Sequence, residues 1–521
     1  MDPASIIRQS GRIYAKNIAV SFQQREQTYA ELYHRAILLA NVLRHSGAGK
    51  GDPVAVLADN AFETVEQAAA CALANNPRAT LYTYHAPSVN RYLLELTGAR
   101  VLLVQAKYYR ALAPLLTDLK SLKTVIVFDG EAPAGTVCYE DALASASAED
   151  KIVPVTDDDV HIIRFSSGTT GKPKGVYHSV GRWTAYNSEW RWGTPMIDET
   201  SRYLVPCSLA HLGIAFLWGF LTVGGRIIPM PAFDARHTLE LLEREKITHA
   251  AAAPVMIREM VADDTARSRD FSALKCLMYA GSPIATNTLR EAIRVFGPTL
   301  YQLYAQSEAM PITMLLPHHH RVDGTEAELR RLRSAGRPTG NNFVTIRDEN
   351  GNLLPPDAIG EIACLGPGTM SGLWNDPEGK AVRTLPDGSI LTRDMGFMDE
   401  DGFVYLVDRK DDMIVSGGYN IWPSELEEAL TNHPAVAEVS VFGVPDEKWG
   451  ETPRAVVVLK KGAKASKEEL ISYTREVVGP VKKVTSVDFV AALPRTATGK
   501  VLRGELKAPF WKDRATRISG S

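Results

Sequence analysis

A run of twelve residues, FSSGTTGKPKGV at positions 165–176, has the composition of a loop that binds phosphate. Its three glycines let backbone N–H groups approach an anion, its four hydroxyl side chains add hydrogen-bond donors, and its two lysines supply positive charge. A nucleotide is therefore the predicted co-substrate. A P-loop NTPase is disfavoured because Ser166 stands where the Walker motif has its first glycine and Pro173 follows the lysine. An ordinary surface loop rich in Gly, Ser and Thr is the alternative.

The loop follows a short apolar run, His161–Ile163, that predicts a buried strand. Similar β-branched runs recur along the chain and alternate with segments that have helical spacing. This alternation is typical of α/β proteins, in which helices cover mostly parallel sheets. The predicted strands lie at 54–57, 101–104, 124–128 and 226–228, a helix is predicted at 238–246, and a further apolar stretch covers 250–255.

The pattern changes at a charged cluster, RKDD at 409–412. Upstream, a turn at 399–402 leads into a predicted strand at 403–407, whereas downstream short helices and strands mix in a compact α+β pattern. We therefore predict an N-terminal domain of residues 1–410 and a C-terminal domain of residues 411–521, joined by a hinge at about 409–411. The predicted downstream elements are helices at 424–431 and 466–476 and strands at 436–444, 454–459 and 487–491.

The composition argues against several classes of protein. With 58 basic and 61 acidic residues the net charge is −3, so no global charge favours nucleic acid or an anionic membrane as a partner. Five scattered cysteines without a C-x-x-C pair, and an N-terminus without a secretory signal pattern, predict a cytoplasmic protein with free thiols. Residues 203–225 lack Asp, Glu, Lys and Arg, but Pro206 and four glycines interrupt them, which predicts a buried helix and no integral membrane segment.

Several distant motifs, taken with the glycine-rich loop, occur in the order found in one superfamily. They are YAQSE at 304–308, LTRD at 391–394, DRKD at 408–411 followed by SGGYNI at 416–421, and PRTATGK at 494–500. Over nearly its full length the chain resembles the adenylate-forming superfamily of acyl-CoA synthetases, firefly-luciferase-like enzymes and nonribosomal-peptide adenylation domains. The resemblance implies a large N-terminal α/β domain with a distorted β-barrel portion, and a small mobile α+β C-terminal domain.

The resemblance also implies a ligase that uses ATP, Mg²⁺ and coenzyme A. A carboxylate attacks the α-phosphate of ATP, pyrophosphate leaves, and a thiol captures the acyl-adenylate, so charge neutralisation matters more than a protein nucleophile. Lys500 is expected to bind the substrate carboxylate and the α-phosphate, and Asp411 to be the hinge. Glu308 is expected to bind Mg²⁺, with Thr170 as a further candidate. The implied nucleotide-binding residues are Ser166, Ser167, Gly168, Thr169, Thr170, Gly171 and Lys174 for the phosphates, Ala280, Gly281, Ser282 and Tyr304 for adenine, Ala305 and Ser307 beside Glu308, Asp394 for the ribose, and Arg409 for the ribose or a phosphate.

The same resemblance places an acyl pocket and a coenzyme A channel. His211 occupies the position at the pocket mouth, and no aspartate lies in Ser208–Phe216 to pair with an α-amino group, which argues against an amino-acid substrate. An apolar wall favours a fatty, alicyclic or aromatic carboxylic acid. The implied pocket residues are Ala210, His211, Leu212, Ala215, Phe216, Met230, Met310 and Pro311, and the implied channel residues are Gly417, Gly418, Tyr419, Lys482 and Lys483.

The sequence departs from the superfamily pattern at a few positions. Ala305 and Ser307 stand where Gly and Thr are usual, and Arg393 replaces a usual glycine beside Asp394, which leaves the backbone geometry at the ribose site open. The segment NNPR at 75–78 lacks the usual Ala-Gly-Ala character. The triple His318-His319-His320 invites a metal site, but consecutive histidines rarely converge on one ion, so none is predicted.

Three classes of function stay open at this point. The first is an acid–CoA ligase, and the second is a ligase that loads an acyl carrier protein or stops at the adenylate. A catalytically idle binding protein is the third, and it is disfavoured because Lys174, Glu308, Asp394, Arg409 and Lys500 are all present. An α/β-hydrolase has no support, because no Gly-x-Ser-x-Gly elbow occurs. A homodimer is compatible with the resemblance.

Overall fold

The computed structural model describes residues 2–165, 173–416, 419–495 and 501–511. It divides into two compact units, the first formed by Met1–Val344 with Cys364–Ile390 and the second by Thr345–Ala363 with Leu391–Ser521. Residues within each unit make most of their contacts with one another. The predicted hinge at 409–411 concerns movement during the reaction, and it stays a prediction.

The first unit contains an eight-stranded sheet whose central strands are parallel, as the alternating pattern predicts. The strand that precedes the glycine-rich loop lies in this sheet and pairs antiparallel with the strand that follows the loop. The order across the sheet is Gly372–Leu373, Gly175–Ser179, Val160–Phe165, Arg78–Thr80, Val54–Leu57, Val101–Gln105, Thr124–Phe128 and Val137–Cys138.

A nine-stranded sheet completes the framework of the first unit. Its central strands are also parallel, so their carboxyl ends meet along one edge, where the residues predicted to bind adenine follow. The order is Arg337–Pro338, Thr313–Leu315, Leu300–Tyr304, Cys276–Ala280, His249–Ala252, Arg202–Val205, Arg226–Pro229, Ile18–Phe22 and Arg25–Thr28.

Helices connect these strands, and capping residues mark where several of them begin and end. Thr28 and Glu31 form a capping box at the start of Tyr29–His45, and Asn75, with a φ of 53°, ends Phe62–Ala74 in the left-handed region. Asparagine tolerates that conformation, which explains why the NNPR segment manages without the usual glycine. The remaining helices of this unit are Pro3–Ile13, Pro87–Thr97, Ala106–Leu112, Tyr139–Ser145, Val180–Gly193, Leu217–Val223, Ala235–Arg244, Pro254–Ala262, Thr286–Phe296, Glu326–Arg331 and Pro377–Arg383, with short 3-10 turns at Ala113–Leu115, Leu212–Ile214, Ala266–Ser268 and Pro317–His319.

The charge-free segment 203–225 forms a strand end, a 3-10 turn and the buried helix Leu217–Val223, as predicted. No helix in the part of the chain that the structure describes combines the length and apolar character needed to span a bilayer. All five cysteines are free thiols. Burial raises the pKa of the Cys71 and Cys207 thiols to about 12, which keeps them protonated.

The eight-stranded sheet separates two apolar cores. Val54, Val56 and Ile162 belong to the large core shared with the nine-stranded sheet, whereas their neighbours Ala55 and Ile163 face a smaller core. Because side chains alternate along a strand, every second residue of this sheet is enclosed in the large core. Polar residues on that face are consequently removed from solvent.

The second unit contains two smaller sheets. One is a four-stranded sheet, and the C-terminal part forms the predicted α+β arrangement with a five-stranded sheet. The distorted β-barrel portion that the resemblance implies stays a prediction. The first sheet has the order Phe343–Arg347, Gly360–Leu365, Ile390–Met398 and Val404–Arg409. The second has the order Tyr419–Ile421, Ile414–Ser416, Gly450–Leu459 and Val436–Asp446, with Ser486–Phe489 also paired to Gly450–Leu459, and the helices are Pro423–Thr431, Lys467–Val478 and Arg503–Trp511 beside the 3-10 turn Lys410–Asp412.

Candidate functional site

The strands on either side of the glycine-rich loop are fixed in register, since Phe165 pairs with Gly175. Ser166, Ser167, Gly168, Thr169, Thr170 and Gly171 lie outside the described residues.

The described end of the loop carries Lys174, whose Nζ lies 2.8 Å from Asp376 Oδ2. Asp376 also accepts a 2.8 Å hydrogen bond from Gly379 N and so caps the helix Pro377–Arg383. The hydrogen bond from Lys174 is the main cause that lowers the pKa of Asp376. This cap therefore holds the lysine at the loop, a contact between residues 202 positions apart that sequence reasoning missed.

Glu308 is a buried carboxylate with a strong cationic partner. Its Oε1 lies 2.5 Å from Arg383 Nη1, and only 9% of its side chain is exposed. Arg383 compensates the buried charge, which would otherwise be costly. The backbone carbonyl of Glu308 accepts a 2.8 Å hydrogen bond from Met370 N, so both its side chain and its main chain are fixed.

One carboxylate oxygen of Glu308 suits the Mg²⁺ role implied by the resemblance. Arg383 contacts Oε1, and Oε2 is the oxygen that would bind the cation, with substrate phosphates and water as the other ligands. A cage of protein ligands is not needed for such a site. Within the described ranges no group of three or more His, Cys, Asp or Glu side chains is arranged to hold a metal ion.

His178 positions the residue next to Glu308. Its side chain is fully buried, and its Nε2 lies 2.8 Å from the carbonyl oxygen of Ser307. Burial lowers the pKa of His178 to about 4, so at neutral pH the imidazole is uncharged and Nε2–H donates this hydrogen bond. The motif YAQSE is thus anchored by a histidine that no sequence signature identifies.

The residues predicted to surround adenine follow two adjacent parallel strands. Ala280 is the Cα partner of Leu303, which brings the turn after Ala280 beside Tyr304. Gly281 has a φ of 94°, a conformation that favours glycine, and Ser282 is half-buried. Tyr304 is 7% exposed, and the structure therefore brings these four residues together at one sheet edge.

The histidine triple has a structural role at His320. Its Nε2 lies 2.9 Å from the Tyr279 hydroxyl and its Nδ1 lies 2.9 Å from the Leu316 carbonyl oxygen, so both ring nitrogens are occupied. Burial lowers the pKa of His320 to about 4. This neutral histidine supports the strand that carries the adenine turn. Beside Glu308, Ala305 packs half-buried against the large core, where its extra methyl group is accommodated.

The predicted ribose residues meet in the second unit. Asp394 and Arg409 are cross-strand Cα partners, and Arg409 Nε lies 2.6 Å from Asp394 Oδ1. Glu361, a residue that sequence reasoning missed, accepts a 3.0 Å hydrogen bond from Arg393 N and lies 2.8 Å from Lys410 Nζ. Glu361 thus contacts the residue before Asp394 and the residue after Arg409, and it helps to hold these two segments together.

The structure resolves the geometry left open by Arg393. Its φ is 61°, so the arginine adopts the left-handed backbone for which the superfamily uses glycine. The backbone conformation before Asp394 is therefore the one that glycine would adopt. A Cβ atom in that conformation costs about 1 kcal/mol of conformational free energy.

We expect an Arg393→Gly variant to be more stable than an Arg393→Ala variant by about 1 kcal/mol, because both lack the side-chain contacts but only alanine retains the strained Cβ. Urea unfolding of the two variants measures this difference. Equal stability of the two would contradict the strain at this position.

The predicted acyl-pocket residues fall into separate groups. Ala210, His211 and Leu212 are half-buried, with the His211 ring centroid 6.1 Å from that of Tyr82. Met310 and Pro311 are buried, as are Ala215 and Phe216.

Two of these residues line different cavities. Phe216 borders a cavity of about 640 Å³ together with Trp183, Asn187 and Trp218. Met230 borders a groove of about 650 Å³ with Arg226 and His237, and Phe216 does not line that groove.

The predicted coenzyme A channel is described only in part. Gly417 and Gly418 lie outside the described residues, and Tyr419 beside them is 58% exposed. Lys482 Nζ lies 2.9 Å from Glu425 Oε2, so this lysine already has a carboxylate partner. Lys483 is half-buried. A phosphate role for these two lysines stays a prediction.

The segment around the predicted hinge is tied to the C-terminal end of the chain by Arg503. Its Nη1 lies 2.8 Å from Asp412 and 3.4 Å from Asp408, and its Nη2 lies 2.7 Å from Glu427. Burial is the main cause that raises the pKa of Glu427. Lys500 lies outside the described residues, but it is three positions before Arg503. Arg503 therefore links the chain segment of Lys500 to that of Asp411.

Comparison with known proteins identifies the family of this chain. Residues 7–374 match the family described as AMP-binding enzyme, and residues 425–500 match the AMP-binding enzyme C-terminal domain. The chain is similar to the medium/long-chain-fatty-acid–CoA ligase of Mycobacterium tuberculosis, with 34% identity over 89% of this chain and 82% of that one. It is 33% identical to the feruloyl-CoA synthase of an Amycolatopsis species over 93% and 94% of the two chains. Its fold is similar to that of the amide bond synthetase McbA from Marinactinospora thermotolerans, with a TM-score of 0.85, 28% identity and coverage of 98% and 100%.

Proposed function

The chain belongs to the family of AMP-binding enzymes, and from this premise we propose that it converts a hydrophobic carboxylic acid into its CoA thioester in two half-reactions. In the first, the substrate carboxylate attacks the α-phosphate of ATP and pyrophosphate leaves. In the second, the thiol of CoA attacks the acyl carbonyl and AMP leaves. Relatives named as CoA ligases match this chain over most of its length and most of theirs. Their names support this AMP-forming acid–CoA ligation.

The buried Glu308 and Arg383 pair is the observation that carries the assignment of the ATP site. Mg²⁺, when bound, would neutralise charge on the departing phosphates. Glu308 would hold that ion through Oε2 while Arg383 keeps the carboxylate oriented. Lys174, oriented by Asp376, would add positive charge at the phosphate loop, and Asp394, whose Oδ1 already contacts Arg409, would accept hydrogen bonds from the ribose hydroxyls.

An assay of AMP release tests the proposed function. A panel of fatty, alicyclic and aromatic acids is offered with ATP and Mg²⁺, with and without CoA. We expect CoA to stimulate AMP release and to yield a thioester that mass spectrometry detects. Thioester formed only when a carrier protein replaces CoA would favour the carrier-loading alternative, and AMP release independent of any thiol would favour an enzyme that stops at the adenylate.

A bulky residue at position 418, as in Gly418→Leu, is expected to spare adenylation and to slow thioester formation at least about tenfold. The resemblance places the pantetheine arm at Gly417 and Gly418, where a side chain would obstruct it. Pyrophosphate exchange reports the first step, and thioester formation reports the second. Gly504→Leu, which adds the same side chain at an exposed glycine of the same unit where a Cβ would meet nothing within 4 Å, is the control. An equal loss in both steps for Gly418→Leu would contradict the channel.

We also propose that Mg²⁺ accompanies ATP and that the enzyme acts in the cytoplasm, where its five free cysteines stay reduced. Chelation by EDTA is expected to abolish adenylation, and added Mg²⁺ to restore it. Sedimentation would distinguish a monomer from a homodimer.

A further inference from the structure

Two buried arginines lie on the inward face of the eight-stranded sheet. Arg78 and Thr80 are the Cα partners of Val54 and Val56, whose side chains belong to the large core. Arg78 is also the partner of Ile162 on the next strand, and Arg164 follows Ile162 by two residues. Since side chains alternate along a strand, Arg78 and Arg164 point to the same side, with Cα atoms about 8 Å apart by strand geometry.

Neither arginine has an acidic partner. Arg78 is 4% exposed and Arg164 is 5% exposed, and neither forms an ion pair with any residue that the structure describes. The Nε and Nη1 atoms of Arg78 and the Nε atom of Arg164 have no hydrogen-bond partner. Burial lowers the pKa of Arg78. Guanidinium groups stay protonated in proteins, so two positive charges without a carboxylate partner are enclosed here, which is unfavourable unless an anion compensates them.

Arg164 lies beside the predicted acyl site. Its Nη1 contacts the sulfur of Met310, which is only a weak acceptor. Tyr82, whose ring faces that of His211, donates a 3.2 Å hydrogen bond to the carbonyl of Phe165, the residue after Arg164. The Arg164 guanidinium therefore contacts Met310, a residue of the predicted wall of the acyl pocket.

Several neighbouring polar groups are also buried without hydrogen-bond partners, among them the neutral acceptor-capable atoms Thr80 Oγ1 and His178 Nδ1. The indole Nε1–H groups of Trp183 and Trp218 are buried without a hydrogen-bond partner, and both rings flank His161 on the strand of Arg164. Indole and guanidinium groups only donate hydrogen bonds. Neither Thr80 nor His178 can neutralise a guanidinium group, so the two positive charges favour an anion as the group that would complete this region.

We infer that the acid activated by this enzyme carries a second carboxylate on its acyl chain, and that Arg164 binds this carboxylate with Arg78 as the second positive charge. The inference rests on the proposed function and refines its substrate class. The prediction from sequence considered only the apolar wall, because the positions of Arg78 and Arg164 relative to Met310 depend on sheet register. In this refinement Met310, which contacts Arg164, belongs to the wall for the methylene chain, and Arg164 selects the distal group.

Matched acids of equal chain length test the inference. Butanoate, hexanoate and octanoate are compared with succinate, adipate and suberate, and kcat/KM is measured from AMP release in the presence of CoA. We expect at least one dicarboxylate to exceed its matched monocarboxylate at least about tenfold, because a buried cation discriminates strongly against a chain that leaves it unpaired. Higher activity for the monocarboxylate at every chain length would overturn the inference.

Arg164→Met, which removes the charge but keeps an unbranched side chain, isolates the contribution of Arg164. We expect kcat/KM for the preferred dicarboxylate to fall about 10²-fold and that for the matched monocarboxylate to change less than about threefold. Arg164→Lys should restore part of the preference. Arg35→Met removes a different arginine of the same unit, one that is paired with Glu66 and Glu140, and should leave the preference unchanged. An equal fall for both acids in Arg164→Met would assign Arg164 to the fold instead.

A binding measurement separates this inference from the proposed function. Isothermal titration of the wild-type protein and of Arg164→Met with each acid requires no turnover. Tighter binding of the dicarboxylate to the wild type, lost in Arg164→Met, would support the inference even if no AMP were released and the ligase assignment failed. Turnover of monocarboxylates without any such binding preference would uphold the ligase and overturn the inference.

Discussion

Replacing Lys500 by alanine is expected to lower the rate of pyrophosphate exchange about 10²–10³-fold, the effect of losing one preorganised electrostatic contact in a transition state. The resemblance assigns this lysine to the substrate carboxylate and the α-phosphate, two anions that must approach each other during adenylation. A positive charge between them reduces their repulsion and holds them in the geometry of attack. Thioester formation from a preformed acyl-adenylate should fall much less, because Lys500 is not assigned to that step.

A matched control separates this role from a general effect of removing a lysine. Lys467 is a half-exposed lysine of the same unit, paired with Asp488 at 3.2 Å, and Lys467→Ala should change neither half-reaction by more than about twofold, since exposed pairs contribute little. Unchanged pyrophosphate exchange in Lys500→Ala would remove the lysine from the mechanism. An equal loss in both half-reactions would indicate that it supports the fold of its lobe.

The geometry of Arg503 gives the Lys500 assignment a structural context. Arg503 bonds residues on both sides of the predicted hinge position, Asp408 and Asp412, and it lies three residues after Lys500. A change of backbone angles at Asp411 would therefore have to break one of these contacts, such as the 3.4 Å contact with Asp408. The two ion pairs therefore restrain backbone rotation at the predicted hinge position.

The strands of the first unit were predictable because each is a short run of apolar residues, and such a run is typical of a strand that is buried in a sheet. The segments 54–57 and 124–128 match their strands, and Pro206 and the glycines correctly excluded a long helix from 203–225. Motif order identified the family without any knowledge of contacts. The pattern of apolar runs thus predicts the fold class, and the ordered motifs predict the reaction type.

The partners of the site residues were not predictable, because they depend on tertiary contacts between distant segments. Asp376 meets Lys174 across 202 positions, and Arg383 meets Glu308 across 75. No motif marks His178 in the sequence. Its contact with the carbonyl oxygen of Ser307 follows only from the position of its strand in the folded protein. Arg78 appeared in the sequence merely as a departure from a small-residue pattern, whereas strand pairing reveals it as a buried cation on the same sheet face as Arg164.

A Glu308→Gln variant is expected to lower the rate of adenylation about 10²-fold and to raise the Mg²⁺ concentration required for half-maximal rate. Glutamine keeps the shape of the side chain but removes the negative charge that would bind the cation. It also leaves the charge of Arg383 without its carboxylate partner, so the variant should lose stability as well.

Two further variants separate catalysis from stability. Glu66→Gln disrupts another buried glutamate, paired with Arg35 at 2.5 Å in the same unit, and should destabilise the protein without a specific change in the Mg²⁺ requirement. In the double variant Glu308→Gln/Arg383→Met, the uncompensated charge is gone, so the free energy of unfolding should recover relative to Glu308→Gln, while adenylation stays low. Recovery of adenylation together with stability would mean that Glu308 serves the fold alone, and that another group must bind the ion that accompanies ATP.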